Sequence, residues 1–164
     1  MTIRPGEEWG RPADSVAATV VTGDAALADQ VAAGAPGPFR VTAGDLHRAI
    51  GTPDASRPAT GLLVPVDALE VSLDGGPPQL AVAHVVVRRS WWRGSLTAVG
   101  NAGFVGNWNV SPRAHPNDGR ADVIEVAPTM GIRERWQAWR RVGHGTHVPH
   151  PQISTRSVRE ARFE

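Results

Sequence analysis

The sequence predicts a mostly β protein of the α+β class, in which a small αβ segment precedes an antiparallel β domain with one amphipathic helix. Three observations predict this class. Strand and helix patterns alternate before residue 51, a polar proline-containing stretch follows at 51–60, and short alternating strands dominate the remainder. The boundary is placed in the polar stretch, so residues 1–58 form the αβ segment with its linker and residues 59–164 the β domain. A chain of 164 residues accommodates one domain with such an appendage.

The αβ segment is predicted to contain two short strands and two helices after an irregular arm of 14 residues. "VAATVVT" and "PFRVTAGD" contain β-branched or aromatic residues and predict the strands. "AALADQVAA" has helical spacing between a turn with an N-cap at Gly23-Asp24 and a stop at Gly34. Asp45 is placed to cap "LHRAI" as a further short helix.

The β domain is predicted from strand patterns that turn residues separate. "GLLVPVDALEVSLDG" and "QLAVAHVVVRRS" flank Asp74-Gly75-Gly76, which predicts a hairpin turn. "SLTAVGNAGFVG" and "ADVIEVA" predict two further strands, and the alternating "QISTRSVREARFE" predicts a last strand or hairpin.

One helix is predicted to interrupt these strands, at "GIRERWQAWRRV". Ile132, Trp136 and Trp139 are spaced by four and three residues and therefore share one helical face. We predict that this face packs on the β domain. The other face carries Arg133, Glu134, Arg135, Arg140 and Arg141.

Composition excludes several functional classes. The net charge of +1 gives no basis for nucleic-acid binding, although all 17 basic residues are arginine. The absence of cysteine excludes disulfides and thiolate chemistry and favours an intracellular location. The amino terminus carries acids and is not typical of a signal peptide, and no apolar run reaches the roughly 20 residues of a membrane span. We therefore expect a cytoplasmic protein.

Two clusters of side chains could carry chemistry. "HGTHVPH" places His144, His147 and His150 three residues apart, but its prolines prevent a helix, so a structural loop is favoured over a zinc site. Residues 88–93, "RRSWWR", mix cations and aromatic rings that could stack bases or contact lipid headgroups. A strand end whose tryptophans fill the core or cover an edge is the favoured interpretation. Asp74 is interpreted as a turn residue.

Residues 99–126, "VGNAGFVGNWNVSPRAHPNDGRADVIEV", resemble the C-terminal domain of bacterial diacylglycerol-kinase-like lipid kinases. The likeness rests on Gly-Asn at the end of a strand, a glycine-rich turn, and a Ser-Pro-x-Ala-x-x-Asn-Asp-Gly loop that enters the next strand. The corresponding residues are Gly100-Asn101, Gly103, Gly106, Ser111-Pro112-Arg113-Ala114 and Asn117-Asp118-Gly119, with Gly145-x-His147 after the helix. The resemblance covers about residues 60 to 164. It implies a β-sandwich-like fold.

The resemblance also implies a structural Mg²⁺ in the Asn-Asp-Gly loop. Its ligands would be the Asp118 carboxylate and the backbone carbonyls of His115 and Arg120. Mg²⁺ prefers oxygen ligands and retains several waters, so one carboxylate with two carbonyls suffices chemically. A turn without a metal is the alternative.

Phosphotransfer features of the family are degenerate in this sequence. The family's Gly-Gly-Asp-Gly-Thr nucleotide loop has its nearest counterpart at residues 43–47, where only Gly44 and Asp45 match and Leu46 and His47 add side chains. The αβ segment is shorter than a nucleotide-binding domain, so ATP binding is not expected. The Asp-Gly-Glu turn that supplies the family's general base is expected about where this sequence stops, at Glu164.

The favoured hypothesis is a non-catalytic lipid-kinase-like domain that binds a lipid or a protein partner, with a membrane-peripheral location as one option. The alternative is an ATP-dependent lipid kinase completed by a partner chain or by residues beyond 164. A third option is a β domain that binds neither lipid nor nucleotide. An unpaired strand edge would also permit a homo-oligomer.

Overall fold

Twelve short strands and three helices make up the described part of the chain, and antiparallel strand pairs dominate it. The computed structural model describes residues 9–13, 16–51 and 61–163, and the predicted linker and the 58/59 boundary lie outside those residues. The strands are β1 (Arg11–Ala13), β2 (Thr19–Val21), β3 (Phe39–Val41), β4 (Gly61–Leu63), β5 (Leu69–Val71), β6 (Gln79–Ala81), β7 (His84–Arg88), β8 (Leu96–Gly100), β9 (Phe104–Val105), β10 (Trp108–Asn109), β11 (Ala121–Val126) and β12 (Ile153–Val158). The helices are α1 (Asp24–Ala32), α2 (Asp45–Ile50) and α3 (Ile132–Val142). The predicted fold class is confirmed.

The front of the molecule is a βαβ unit followed by a short helix. β2 and β3 pair in parallel, with α1 as the crossover between them, and α2 follows β3. The predicted irregular arm is wrong in part, because β1 pairs antiparallel with β4 on the far side of the linker. Residues 1–8 and 14 of that arm lie outside the described residues.

A four-stranded antiparallel sheet, ordered β12-β11-β8-β7, forms the centre of the β domain. Its side chains alternate between two faces, and the register places Val86, Ala98 and Ile124 side by side in one row. β5 and β6 form a separate hairpin whose turn has positive φ at Asp74 and Gly75, as the Asp-Gly dipeptide predicts.

Two hydrophobic cores hold the fold together. The front core joins Val21, Leu27, Ala28 and Leu46 of the αβ segment to Val82, Ala83 and Ala102 of the β domain. The back core lies at the sheet, where Ala98, Ile124, Met130 and Ile153 are buried. Because the front core draws on both sides of the linker, the two segments pack against one another.

The face of α3 that packs on the β domain differs from the prediction. Trp136 and Trp139 are each 47% exposed, and Ile132 is also exposed, whereas Arg135 and Val142 are buried. The predicted packing of Ile132, Trp136 and Trp139 as one buried face is therefore wrong, since the buried row of the helix is offset from the apolar row. No helix within the described ranges is long and apolar enough to cross a membrane.

Candidate functional site

An apolar cavity of about 230 Å³ lies between α3 and the central sheet. The row formed by Val86, Ala98 and Ile124 lines its floor, and Ala138 and Val142 of α3 also line it. Aromatic side chains complete the wall, namely Trp91, Trp92, Trp108 and Trp139. Interiors of proteins rarely contain voids larger than a water molecule, so the space stands out as a candidate binding site.

Arg135 is a buried cation whose hydrogen-bond partners in the structure are backbone carbonyls. Its guanidinium donates to the carbonyls of Met130 (3.0 Å), Ala127 (3.0 Å) and Trp91 (3.3 Å), and also to that of Gly94. Burial lowers the pKa of Arg135. These bonds tie α3 to the turn before it and to the loop at 91–94, and so hold Trp91 and Trp92 at the cavity.

His147 is the other polar residue buried at the cavity, with 6% of its surface exposed. Its Nδ1 has no hydrogen-bond partner among the residues that the structure describes. Burial lowers the pKa of His147. His144 is exposed, and no group of three potential metal ligands occurs among the residues that the structure covers, so the zinc interpretation gains no support.

The two tryptophans of "RRSWWR" have different environments. Trp91 packs edge-to-face on Trp108, with ring centroids 4.9 Å apart, as the core-filling interpretation predicts. Trp92 is 41% exposed and meets Trp139 edge-to-face at 6.4 Å. Because Trp92 and Trp139 both line the cavity and are exposed, the cavity reaches the surface between them.

The Asn-Asp-Gly loop is closed by side chains that accept backbone hydrogen bonds. Asp118 Oδ1 accepts from the Arg120 amide at 3.0 Å, and His115 Nδ1 accepts from the Asn117 amide at 3.2 Å. The His115 ring also packs edge-to-face on Trp9. The side chain of His115 thus shapes the loop, while its carbonyl remains the group that the resemblance implies as a ligand.

Two further carboxylates lie beside Asp118, and Asp67 is the one that sequence reasoning missed. Asp67 Oδ2 accepts from the Gly119 amide at 2.7 Å, and the Asp67 amide donates to the Pro116 carbonyl at 2.8 Å. Burial raises the pKa of Asp122 and the charge of Asp118 adds to this, while hydrogen bonds from Ser111 and Ser157 oppose it. Carboxylate and carbonyl oxygens are the ligands that a hard divalent cation prefers, but among the described residues no three acidic or histidine side chains are placed to hold a metal ion together.

The residues matching the nucleotide loop, Gly44 and Asp45, lie at the start of α2. Asp45 does not cap this helix as predicted, since Gly44 is the N-cap residue. Instead Asp24, at the start of α1, accepts hydrogen bonds from the amides of Asp45 (2.7 Å) and Leu46 (3.1 Å). A carboxylate of the protein therefore occupies the backbone donors that a phosphate would need. Gly44 has a φ of 103°, and a Cβ there would lie 2.5 Å from the Asp24 carboxylate.

Asp45 joins α2 to the β domain. Its Oδ2 accepts from the Gly106 amide at 2.9 Å and lies 3.4 Å from His84 Nδ1. Arg48, one turn later, donates to the Gly106 carbonyl and to Asn107 Oδ1. Through these contacts Asp45 and Arg48 fix the position of the turn between β9 and β10.

Two glycines of the family motif, Gly100 and Gly103, lie where the backbone of another segment leaves no room for a Cβ atom. A Cβ at Gly100 would lie 2.8 Å from the Ala83 carbonyl, and one at Gly103 would lie 2.6 Å from the Ser111 carbonyl. Asn101 is fully buried, and its side-chain amide donates to the Asp67 carbonyl. The motif therefore connects the strand end to the loop that contains Asp118.

Comparison with known proteins supports the same identification. A family model described as the YegS C-terminal NAD kinase beta sandwich-like domain matches residues 65–164. No curated protein and no solved structure gives a significant match. The matched region contains the Ser-Pro and Asn-Asp-Gly elements, the cavity and α3, and it confirms the predicted resemblance to the C-terminal domain of lipid kinases. The chain belongs to the YegS C-terminal NAD kinase beta sandwich-like family.

Proposed function

We propose that this chain is a non-catalytic lipid-binding module, in which an apolar segment of one lipid occupies the cavity beneath α3. The cavity is the observation that carries the proposal. Its wall is apolar except for Arg135 and His147, and its exposed rim is aromatic. Ligand sites are commonly apolar concavities with a small number of polar groups, and this cavity has that composition.

The size of the cavity limits what it holds. Ligand pockets typically measure about 300–1,000 Å³, and an apolar cavity of about 150 Å³ is enough to hold benzene. A volume of about 230 Å³ therefore suits a ring or a short stretch of one acyl chain, with the rest of the lipid outside. The unpartnered Nδ1 of His147 offers an acceptor for a hydroxyl on such a ligand.

The non-catalytic part of the proposal rests on the start of α2. Phosphoryl transfer requires that the nucleotide phosphates be positioned and their charge neutralised. The amides of Asp45 and Leu46 already bond to Asp24, and the Asp45 carboxylate accepts from the Gly106 amide. A lipid kinase completed by another chain or by further residues is the competing function.

We also propose a structural Mg²⁺ at Asp118, with the carbonyls of His115 and Arg120 as further ligands. The nearby carboxylates of Asp67 and Asp122 support a positive ion at this turn. The ion would stabilise the loop and supply no chemistry to the cavity.

The test is binding of a dansyl-labelled fatty acid to the purified chain, at a concentration at which the probe is monomeric. We expect enhanced probe fluorescence, competition by unlabelled oleate, and loss of binding in Ala98→Phe, which fills the cavity. Ala32→Phe, on the exposed end of α1, is the matched control and should bind normally. Equal binding by both variants would reject the cavity as the site.

A kinase assay decides between the two functions. Purified chain with ATP, Mg²⁺ and diacylglycerol should yield no phosphatidic acid. Turnover that disappears in Asp45→Ala would establish the kinase instead and would refute the non-catalytic assignment.

A further inference from the structure

Next to the cavity lies an exposed apolar surface made of Trp92, Ile132, Trp136 and Trp139, here called the tryptophan patch. The exposed fraction of each side chain is between 41% and 49%. Trp92, Ile132 and Trp136 line one shallow groove together with Arg133, and Trp92 contacts Trp139. Large aromatic side chains that stay half exposed in one cluster are typical of an interaction surface rather than of a free surface.

Positive charge is concentrated around this patch. The patch is formed by two segments, residues 88–94 and 131–143. Together they contain seven of the 17 arginines and only a single one of the 16 acidic residues, Glu134. Glu134 is engaged by the Gly131 amide at 2.8 Å. Arg135 is the buried member, and the six exposed ones are Arg88, Arg89, Arg93, Arg133, Arg140 and Arg141. Within the described ranges none of the six pairs with a carboxylate.

We propose that the tryptophan patch and its arginines dock this protein on a bilayer surface that contains anionic phospholipid. Tryptophan prefers the headgroup level of a membrane, and basic residues beside it are attracted to anionic lipid. Each arginine held near such a surface raises partitioning by a factor of about five. The net charge of +1 conceals this asymmetry, because the acids lie elsewhere in the chain.

Two other occupants fit the surface less well. A two-fold contact between copies would place the same arginines opposite one another, and like charges repel. Single-stranded nucleic acid needs free ring faces for stacking, but Arg140 lies over the Trp136 ring at 4.9 Å and Arg88 over the Trp91 ring at 4.2 Å. Insertion at the headgroup level requires no free ring face.

The tryptophan patch shares Trp92 and Trp139 with the cavity wall, but its other members lie outside that wall. Trp136, Arg133 and Arg140 belong to the patch or its border and do not line the cavity. Variants at these positions leave the cavity wall intact, so failure of membrane docking and failure of fatty-acid binding are distinguishable. Because the three side chains are exposed, their substitution should also leave the fold intact.

The experiment is flotation of the purified chain with vesicles of phosphatidylcholine alone or mixed with phosphatidylglycerol. We expect flotation with the mixed vesicles, weakening as salt rises, and none with phosphatidylcholine alone. Trp136→Ala should reduce binding about tenfold or more, and Arg133→Gln/Arg140→Gln by about twentyfold. Arg40→Gln/Arg113→Gln removes the same charge at exposed sites on other elements and should bind as the wild type. Phe163→Ala is the matched control for an exposed aromatic residue.

Three outcomes would overturn the proposal. Binding that Trp136→Ala and Arg133→Gln/Arg140→Gln leave unchanged would place the contact elsewhere. An equal loss of vesicle binding in Arg40→Gln/Arg113→Gln would show that binding depends on the net charge of the protein and not on the arginines beside the patch. A dimer by light scattering that Trp136→Ala dissociates, without flotation of the wild type, would assign the patch to a second copy of the chain.

Discussion

The two hydrophobic cores of this protein are built in different ways. The front core is filled by small and medium side chains, Ala, Val and Leu, and carboxylate-to-amide bonds from Asp24 and Asp45 close it. The back core leaves about 230 Å³ unfilled, uses four tryptophans at its wall and contains a buried arginine and histidine. The comparison teaches that the front core supports the fold, whereas the proposed activity lies at the back core, where packing is incomplete.

The largest effect is expected at the front core. Leu46 is 1% exposed, and Leu46→Ala should lower the free energy of unfolding by about 3 kcal/mol through lost burial and an unfilled space. Leu73, 58% exposed on the β5–β6 hairpin, is the control, and its alanine variant should change stability by less than about 0.5 kcal/mol. Urea denaturation measures both, and equal losses would contradict a closed front core.

A matched pair of substitutions by a larger side chain compares the packing of the two cores directly. Ala102 belongs to the front core, and Ala102→Leu should cost about 1–3 kcal/mol by overpacking. Ala98 faces the cavity, so Ala98→Leu should cost less than about 1 kcal/mol. If Ala98→Leu is as costly as Ala102→Leu in thermal denaturation, the back core is already filled.

The free energy of unfolding is expected to depend on pH through His147, which lies in the back core. Because burial lowers its pKa below the ordinary 6.5, the unfolded chain binds more protons than the folded chain as pH falls. The contribution of His147 to stability is therefore complete above about pH 6.5 and is lost as pH falls through the lowered pKa. Arg135 lines the same cavity and adds a second positive charge there.

The measurement is the free energy of unfolding at about pH 7.5 and about pH 5.5. The loss between these values should be smaller in His147→Gln than in the wild type, while His144→Gln, at an exposed position, should match the wild type. An unchanged pH dependence in His147→Gln would show that the imidazole is not responsible.

Millimolar Mg²⁺ should stabilise the folded protein by about 1 kcal/mol if Asp118 binds it, because an ion that binds only the folded state shifts the equilibrium by linkage. A rise in melting temperature that Asp118→Asn abolishes would meet this expectation. Asp74→Asn, in the hairpin turn, removes an equal charge and should keep the response. An equal response in Asp118→Asn would locate the ion elsewhere.

The smallest effect on stability is expected at Trp136. Since the side chain is 47% exposed, Trp136→Ala should cost about 0.5 kcal/mol, not the 3–5 kcal/mol of a buried aromatic residue. Urea denaturation followed by circular dichroism gives the value. A loss above about 2 kcal/mol would mean that the side chain is packed after all and would remove Trp136 from the tryptophan patch.

Local patterns predicted most elements and the loop that contains Asp118, because each depends on neighbours in sequence. The roles of single side chains were harder to predict. Asp24 was expected to cap its own helix but bonds to the start of α2, and Asp67 gave no local signal for its contact with Gly119. Both contacts join residues that are distant along the chain, which a spacing rule does not detect.

The sequence by itself determined the α+β class, the β domain and its family, since alternation, turn dipeptides and the Asn-Asp-Gly loop are local features. Only the tertiary structure decided which face of α3 is buried. Helical spacing favours the row of Ile132, Trp136 and Trp139. The carbonyls of residues 91, 94, 127 and 130 nevertheless converge on Arg135 and accept hydrogen bonds from four of its five N–H donors inside the protein. A buried cation with most of its donors hydrogen-bonded can occupy an interior position, and the burial of Arg135 turns Trp136 toward solvent.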